Sequence, residues 1–301
     1  MFYFSILVTF PKQNQEVMQK ILVPTDFSSL SENALTLAVD IGRRTDAEVY
    51  LVNFMDHSFG DSFAASGEVS YGGDENDLFT LQLARKNHKR LADLAAKHGI
   101  SVKINYQVYG QDFEDGFKDY IKERDIDLVV IATSGEESAE EFFTGNHTTQ
   151  MIQGASCPVI SVKGKYQDND FKHIVVGVDF EEDEEDDFAK AAEFLNTFSN
   201  DLRGHLHLVH VADLGSNVTA LESKLSAFAV NYNFDNYSIK VTQNNDKEQG
   251  LLAYCFGTGA SMLALLTHSK GGILRIFTES TTEELAKEAS IPVMSINLHN
   301  I

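Results

Sequence analysis

Apolar positions along this chain follow two alternating periods. Short continuous runs rich in Val, Ile and Leu predict strands near 20–24, 47–54, 101–108, 127–132 and 158–163. Runs that are apolar on both sides belong to a parallel sheet covered by helices on each face. Between them, apolar residues recur at helical spacing. Leu30, Ala34, Leu37, Ala38 and Ile41 line one face of a first helix, and Ser29 with Glu32 reads as a capping box at its start. Leu78, Leu81, Ala84, His88, Leu91 and Ala95 predict a longer second helix, and Phe113, Phe117, Tyr120 and Ile121 a third. A fourth is expected from about Gly145 to Gln153. Strands alternating with helices, joined by right-handed crossovers, predict a doubly wound α/β fold.

The same pattern then occurs again. Lys20-Ile21-Leu22-Val23-Pro24-Thr25-Asp26-Phe27 resembles His173-Ile174-Val175-Val176-Gly177-Val178-Asp179-Phe180. Val49–Asp56 resembles Leu206–Asp213, Ser101-Val102-Lys103 answers Ser238-Ile239-Lys240, and Leu128–Thr133 answers Met262–Thr267. Cys157-Pro158-Val159 answers Ile291-Pro292-Val293. The order is the same in both halves, so the chain is read as a tandem repeat. The expected divisions are a first domain over 18–165, a polar join, and a second, degenerate domain over 171–301. The first half carries an added Gly- and Ser-rich stretch near Ser58–Gly73, read as a surface loop.

Charge narrows the partners. Across 301 residues the formal net charge is −21, which disfavours nucleic acid and anionic membrane surfaces. Two cysteines, Cys157 and Cys255, leave no disulfide framework and no Cys-based zinc module. The simple expectation is a reduced, cytoplasmic compartment. The apolar N-terminus lacks the basic flank and cleavage site of a signal peptide. Residues 1–17 are open to two readings, a disordered native leader or an upstream extension preceding a start at Met18.

Val23-Pro24-Thr25-Asp26-Phe27-Ser28, Cys157-Pro158-Val159 and the loop after Leu128–Thr133 together carry a family resemblance. Each half resembles a universal stress protein domain, and the resemblance runs over nearly the whole chain from Met18. It implies two five-stranded parallel sheets of order 3-2-1-4-5. It also implies that the halves pair through their last strands, Pro158–Val162 and Pro292–Ile296, as an internal pseudo-dimer. Pairing of whole chains into a homodimer stays open.

The same resemblance implies an adenine-nucleotide crevice beyond the carboxyl ends of the strands. The matching positions are Pro24, Thr25, Asp26, Asn53, Ala132, Thr133, Gly135, Gly145, Asn146 and His147. In ATP-binding members the aspartate contacts the adenosine end, and a Gly-x2-Gly-x9-Gly-(Ser/Thr) loop holds the phosphates. Here Ala132 replaces the first glycine and Asn146 the Ser/Thr, while Gly135 and Gly145 remain. Glu136, Glu137, Glu140 and Glu141 lie inside the loop. A carboxylate ~6 Å from a phosphate charge, at an effective dielectric near 20, repels it by roughly 3 kcal/mol before screening. In the second half Asp179 is kept, but Ser269 and Glu279 replace the loop glycines, and Glu181–Asp187 are all acidic. No nucleotide is expected there. For the first half no cofactor is certain, and ATP, ADP or AMP with magnesium are the candidates. The plainer reading is that Asp26 caps the following helix and the glycines shape turns.

Other motifs carry less. His205 and His207 share a strand face while His210 points away, which is thin support for a metal. Gly257-Thr258-Gly259 precedes a strand, the wrong context for a dinucleotide fingerprint. No Gly-x-Ser-x-Gly elbow, phosphate-loop motif or acid–base–nucleophile set suggests an enzyme. The expected role is therefore a regulatory or adaptor protein without catalysis, with an adenine-nucleotide sensor as the alternative.

Overall fold

The computed structural model describes residues 18–55, 75–133, 151–163, 165–166, 170–179, 188–267 and 291–301. The first half supplies β1 (Lys20–Pro24), β2 (Glu48–Phe54), β3 (Ile104–Tyr109), β4 (Leu128–Thr133) and β5 (Val159–Lys163). The second supplies β6 (His173–Gly177), β7 (His205–Ala212), β8 (Tyr237–Gln243), β9 (Met262–Thr267) and β10 (Val293–Asn297). The helices are α1 (Ser29–Thr45), α2 (Glu75–His98), α3 (Phe113–Arg124), α4 (Phe188–Asp201), α5 (Val218–Asn231) and α6 (Lys247–Thr258). Of the expected fourth helix of the first half, residues 151–154 are described and helical.

The ten strands make one sheet in the order β3-β2-β1-β4-β5-β10-β9-β6-β7-β8. Each half has the expected 3-2-1-4-5 order with parallel pairing. The halves join through β5 and β10, which run antiparallel with Met294 opposite Ile160. The two half-sheets therefore point their carboxyl ends at opposite edges of the common sheet.

The two faces differ in how they are filled. On one, a single apolar core crosses the join, with Leu37, Ile41, Ile160, Val162, Leu195, Phe198, Met294 and Ile296 in one cluster. On the other, the described residues fall into two separate clusters. Phe54, Phe117, Tyr120 and Val159 pack in the α3 layer, and Val175, Val209, Leu251 and Cys255 in the α6 layer. Small polar residues stand at the join on this face: Ser161 Oγ donates to Val293 O at 3.2 Å, and Ser295 Oγ is buried with no hydrogen-bond partner. The central strands are fully buried, whereas β3 and β8, at the sheet edges, are half-exposed.

Local chemistry sets the helix ends. Ser28, not Ser29, is the N-cap of α1, its side chain accepting from Ser31 N at 3.1 Å. The expected capping box is thus shifted by one residue. Glu32 falls one position too far along to reach back to the cap. Its carboxylate instead holds Lys97 and His98, tying α1 to the end of α2. Asp112 and Asp246 cap α3 and α6 in the same way. Gly259 ends α6 at φ +62°, a left-handed turn suited to glycine, so Gly257-Thr258-Gly259 is a helix terminus. The strand expected over 101–108 begins at Ile104, since residues 101–102 bend and Lys103 only offers its carbonyl to Val49 N at 3.0 Å.

A buried ionic knot fastens the segment between the halves. Tyr166 Oη donates to Asp40 Oδ2 at 2.8 Å, and Arg43 and Arg44 hold the other carboxylate oxygen. Burial pushes the Asp40 carboxyl up, but the bonds from Arg44, Tyr166 and Arg43 outweigh it and leave it below the usual range.

Candidate functional site

Three of the crevice strands end side by side. Pro24 lies opposite Val52, and the chain continues with Thr25 N donating to Val52 O at 2.8 Å. On the other side of β1, Ile21 and Leu22 face Leu128 and Val129 of β4. That register, carried forward, sets Thr25 level with Ala132 and Asp26 level with Thr133. Pro24, Thr25, Asp26, Asn53, Ala132 and Thr133 are therefore brought together at one sheet edge. Gly135, Gly145, Asn146 and His147 lie outside the described residues, as do the loop glutamates 136–141, the acidic run 181–187, and Ser269 and Glu279.

Thr25 and Asn53 at this edge are engaged by the protein itself. Thr25 Oγ1 bonds Ser31 Oγ at 2.9 Å and accepts from Phe27 N at 3.0 Å. Asn53 Nδ2 donates to Thr25 O at 2.8 Å, and Asn53 Oδ1 accepts from Asn87 Nδ2 at 2.9 Å. Thr25, Asn53, Ala132 and Thr133 are all buried. Asp26 is half-exposed, and its Oδ1 accepts from Ser28 N at 2.9 Å. This is a local turn leading into the cap, and it corrects the expectation that Asp26 itself caps α1. Ser28 does that.

Two participants escaped the sequence reading. Asn87 is a buried polar residue inside the apolar stripe of α2, between Ala84 and Leu91. A stripe centred on 84, 87, 91 and 95, in place of one passing through His88, would have singled it out. His88 is only half-buried and its ring meets that of Tyr106 of β3 at a tilt, with centroids 5.3 Å apart. Phe79 and Leu83 stand exposed on the amino-terminal half of α2. The second missed feature is Phe27, which adopts φ +67°, a left-handed conformation costing ~1–2 kcal/mol for a non-glycine residue. Its ring lies under the Arg90 guanidinium, 4.0 Å from the centroid.

The Asn53–Asn87 pair gives a direct test. In Asn87→Ala, Asn53 Oδ1 is left buried without a partner, an expected cost of ~1–3 kcal/mol in urea unfolding. Asn87→Asp should cost at least as much, since it removes the donor and buries a charge.

In the second half, Asp179 Oδ2 pairs with Lys247 Nζ of α6 at 3.2 Å. His210 is buried and hydrogen-bonds Val178 O through Nδ1 at 2.9 Å. His205 and His207 lie ring against ring, 4.9 Å apart, so the expected shared face holds. Among the described residues, no group of three or more His, Cys, Asp or Glu has the arrangement to hold a metal ion. Cys157 and Cys255 are both buried, and burial pushes both thiols up, Cys255 to about 12. Among the described residues no helix is long and apolar enough to cross a membrane.

An open α/β unit doubled about an antiparallel strand pair, with a polar knot at the end of its first strand, defines the class of protein. Residues 18–163 match the sequence model of the universal stress protein family. A universal stress protein of Methanocaldococcus jannaschii is 26% identical over 163 residues, covering 53% of this chain and 91% of that one. A universal stress protein assigned in Staphylococcus haemolyticus is 25% identical, covering 54% of this chain and 94% of that one. The crystal structure of a universal stress protein from Archaeoglobus fulgidus superposes with a TM-score of 0.63 at 15% identity, covering 93% of this chain and 97% of that one. That likeness extends the fold over both halves. Residues 18–163 form a universal stress protein domain, and the second half shares its fold.

Proposed function

We propose that this chain is a non-enzymatic stress-response regulator or adaptor whose first-half crevice no longer depends on a nucleotide. The observation that supports this reading most is the closed hydrogen-bond chain Ser31–Thr25–Asn53–Asn87. Thr25 and Asn53, already bonded within the protein, gain little from a ligand and would lose internal bonds by accepting one. Ala132 in place of the first loop glycine and the four loop glutamates weigh the same way. In the second half Lys247 neutralises Asp179 from within the chain. The described residues at these edges offer no paired nucleophile and base, and we assign no turnover.

A second reading is an ATP, ADP or AMP sensor. It is favoured by the half-exposed Asp26 carboxylate at the end of β1. Titration calorimetry of the full chain with each nucleotide plus magnesium separates the two, with Asp26→Ala as control. The adaptor reading expects no saturable heat with any nucleotide. Micromolar binding that disappears in Asp26→Ala would replace it with the sensor. The net charge keeps nucleic acid and anionic membranes among the disfavoured partners, and a cytoplasmic location goes with the reduced cysteines.

A further inference from the structure

Three imidazoles meet at the amino-terminal end of the second half-sheet, far from either crevice chemistry discussed above. His173 opens β6, and His205 and His207 stand on β7, with His173 opposite His205 in the register. His173 Nδ1 and His207 Nε2 are 3.0 Å apart, a distance that requires one proton between them. His207 Nδ1 faces Tyr254 Oη of α6 at 3.2 Å and Ser238 Oγ of β8 at 3.3 Å. His205 lies edge-on to the His207 ring and bonds Asn236 through Nδ1 at 3.1 Å. Both nitrogens of His207 are thus engaged, one across to β6 and one up to α6.

The matching place in the first half is built from different chemistry. Glu48 and Tyr50 stand where His205 and His207 do, and the Glu48 carboxylate takes hydrogen bonds from Lys103, Asn105 and Tyr50. The second half has imidazoles there, and among the described residues no carboxylate is hydrogen-bonded to them, though Asp170 acts on His173 through space. The groups facing His207 are His173 on β6, His205 on its own strand, Ser238 on β8 and Tyr254 on α6, with Cys255 behind Tyr254. The Lys172–Asp170 ion pair stands on the segment leading into β6.

We propose that His173, His205 and His207 form a proton-operated latch holding α6 on the sheet. With one proton between His173 and His207, the latch is closed and Tyr254 is engaged. When both rings are fully protonated, two N–H groups face each other at 3.0 Å, the nearest carboxylate, Asp170, acts on His173 but is already paired with Lys172, and the contact opens. Burial, then the neighbouring His205 and His173, press the His207 imidazole down to about 4. A group whose folded value is depressed stabilises the closed state fully above its unfolded value of ~6.5, and that stability is lost as pH falls towards 4. Opening of α6 re-exposes the ring to water, so each opening event takes up a proton in this window. A full proton would raise the opening equilibrium ~10-fold per pH unit, and the partial exposure of His207 lowers that to roughly 3- to 10-fold.

Hydrogen exchange of the full chain at pH 7.5, 6.0 and 5.0, corrected for intrinsic exchange, measures this opening on α6. Opening should rise through the window on α6 and at the start of β7, and not on α3 of the first half. His207→Phe removes the titration and should flatten the profile. A parallel histidine titration by nuclear magnetic resonance on the unmodified chain keeps the proposal testable if that variant fails to fold. Opening of α6 that ignores pH, a profile unchanged in His207→Phe, or a His207 that titrates at or above 6.5 would each overturn the latch.

Discussion

Ile160→Asp should destabilise the whole chain by on the order of 5 kcal/mol, a large part of the ~5–15 kcal/mol that keeps a domain folded. Ile160 is completely buried, on the strand pair that joins the halves, directly opposite the equally buried Met294. It belongs to the core that crosses the join, so a carboxylate there has no water and no counter-ion. Urea unfolding followed by circular dichroism should show the midpoint collapse or the folded baseline vanish. A change at an exposed strand position such as Tyr106→Asp should move the midpoint far less. If Ile160→Asp left the midpoint within experimental scatter, the continuous core would not be what couples the halves.

Phe117→Ala should cost ~3–5 kcal/mol through the cavity left beneath α3. Phe117 is fully buried and meets Phe54 at 6.5 Å and Phe113 at 5.8 Å between ring centroids, inside a core confined to the first half. Among the described residues, the α3 core and the α6 core are separate on this face. The loss should therefore be concentrated in the first half, and amide exchange on α3, β4 and β5 should rise more than on α6. Equal loosening of both halves would contradict the separation of the two cores.

Much of this architecture was legible in the chain. Leu128–Thr133, buried at every position, reads as a central strand because no polar residue interrupts it before Thr133. The family resemblance anticipated that the halves pair through their last strands, and the structure adds that β5 and β10 run antiparallel. What resisted reading was register at the level of single residues. Ser28 and Ser29 are equivalent cap candidates by type, and only the chain path after Asp26 selects the first. Asn87 looks like an ordinary surface residue until β2 places Asn53 within its reach. The imidazole cluster needed β6 and β7 to be neighbours, since His173 and His207 are 34 positions apart. His205 and His207 alone predicted a shared face but not the third ring.

The candidate site was legible in position and not in state. Pro24, Thr25, Asp26, Asn53, Ala132 and Thr133 do converge, as the βαβ rule for open sheets requires. That Thr25 and Asn53 spend their hydrogen-bonding capacity inside the protein follows only from the geometry.

Thermal unfolding of the full chain in millimolar ATP, ADP or AMP with magnesium tests the central claim most directly. A ligand that binds only the folded state adds ~4 kcal/mol at a thousandfold excess over its Kd, enough to raise Tm by several degrees. Engagement of Thr25 and Asn53 within the protein predicts the same Tm with and without each nucleotide. A rise of several degrees that vanishes in Asp26→Ala would contradict it.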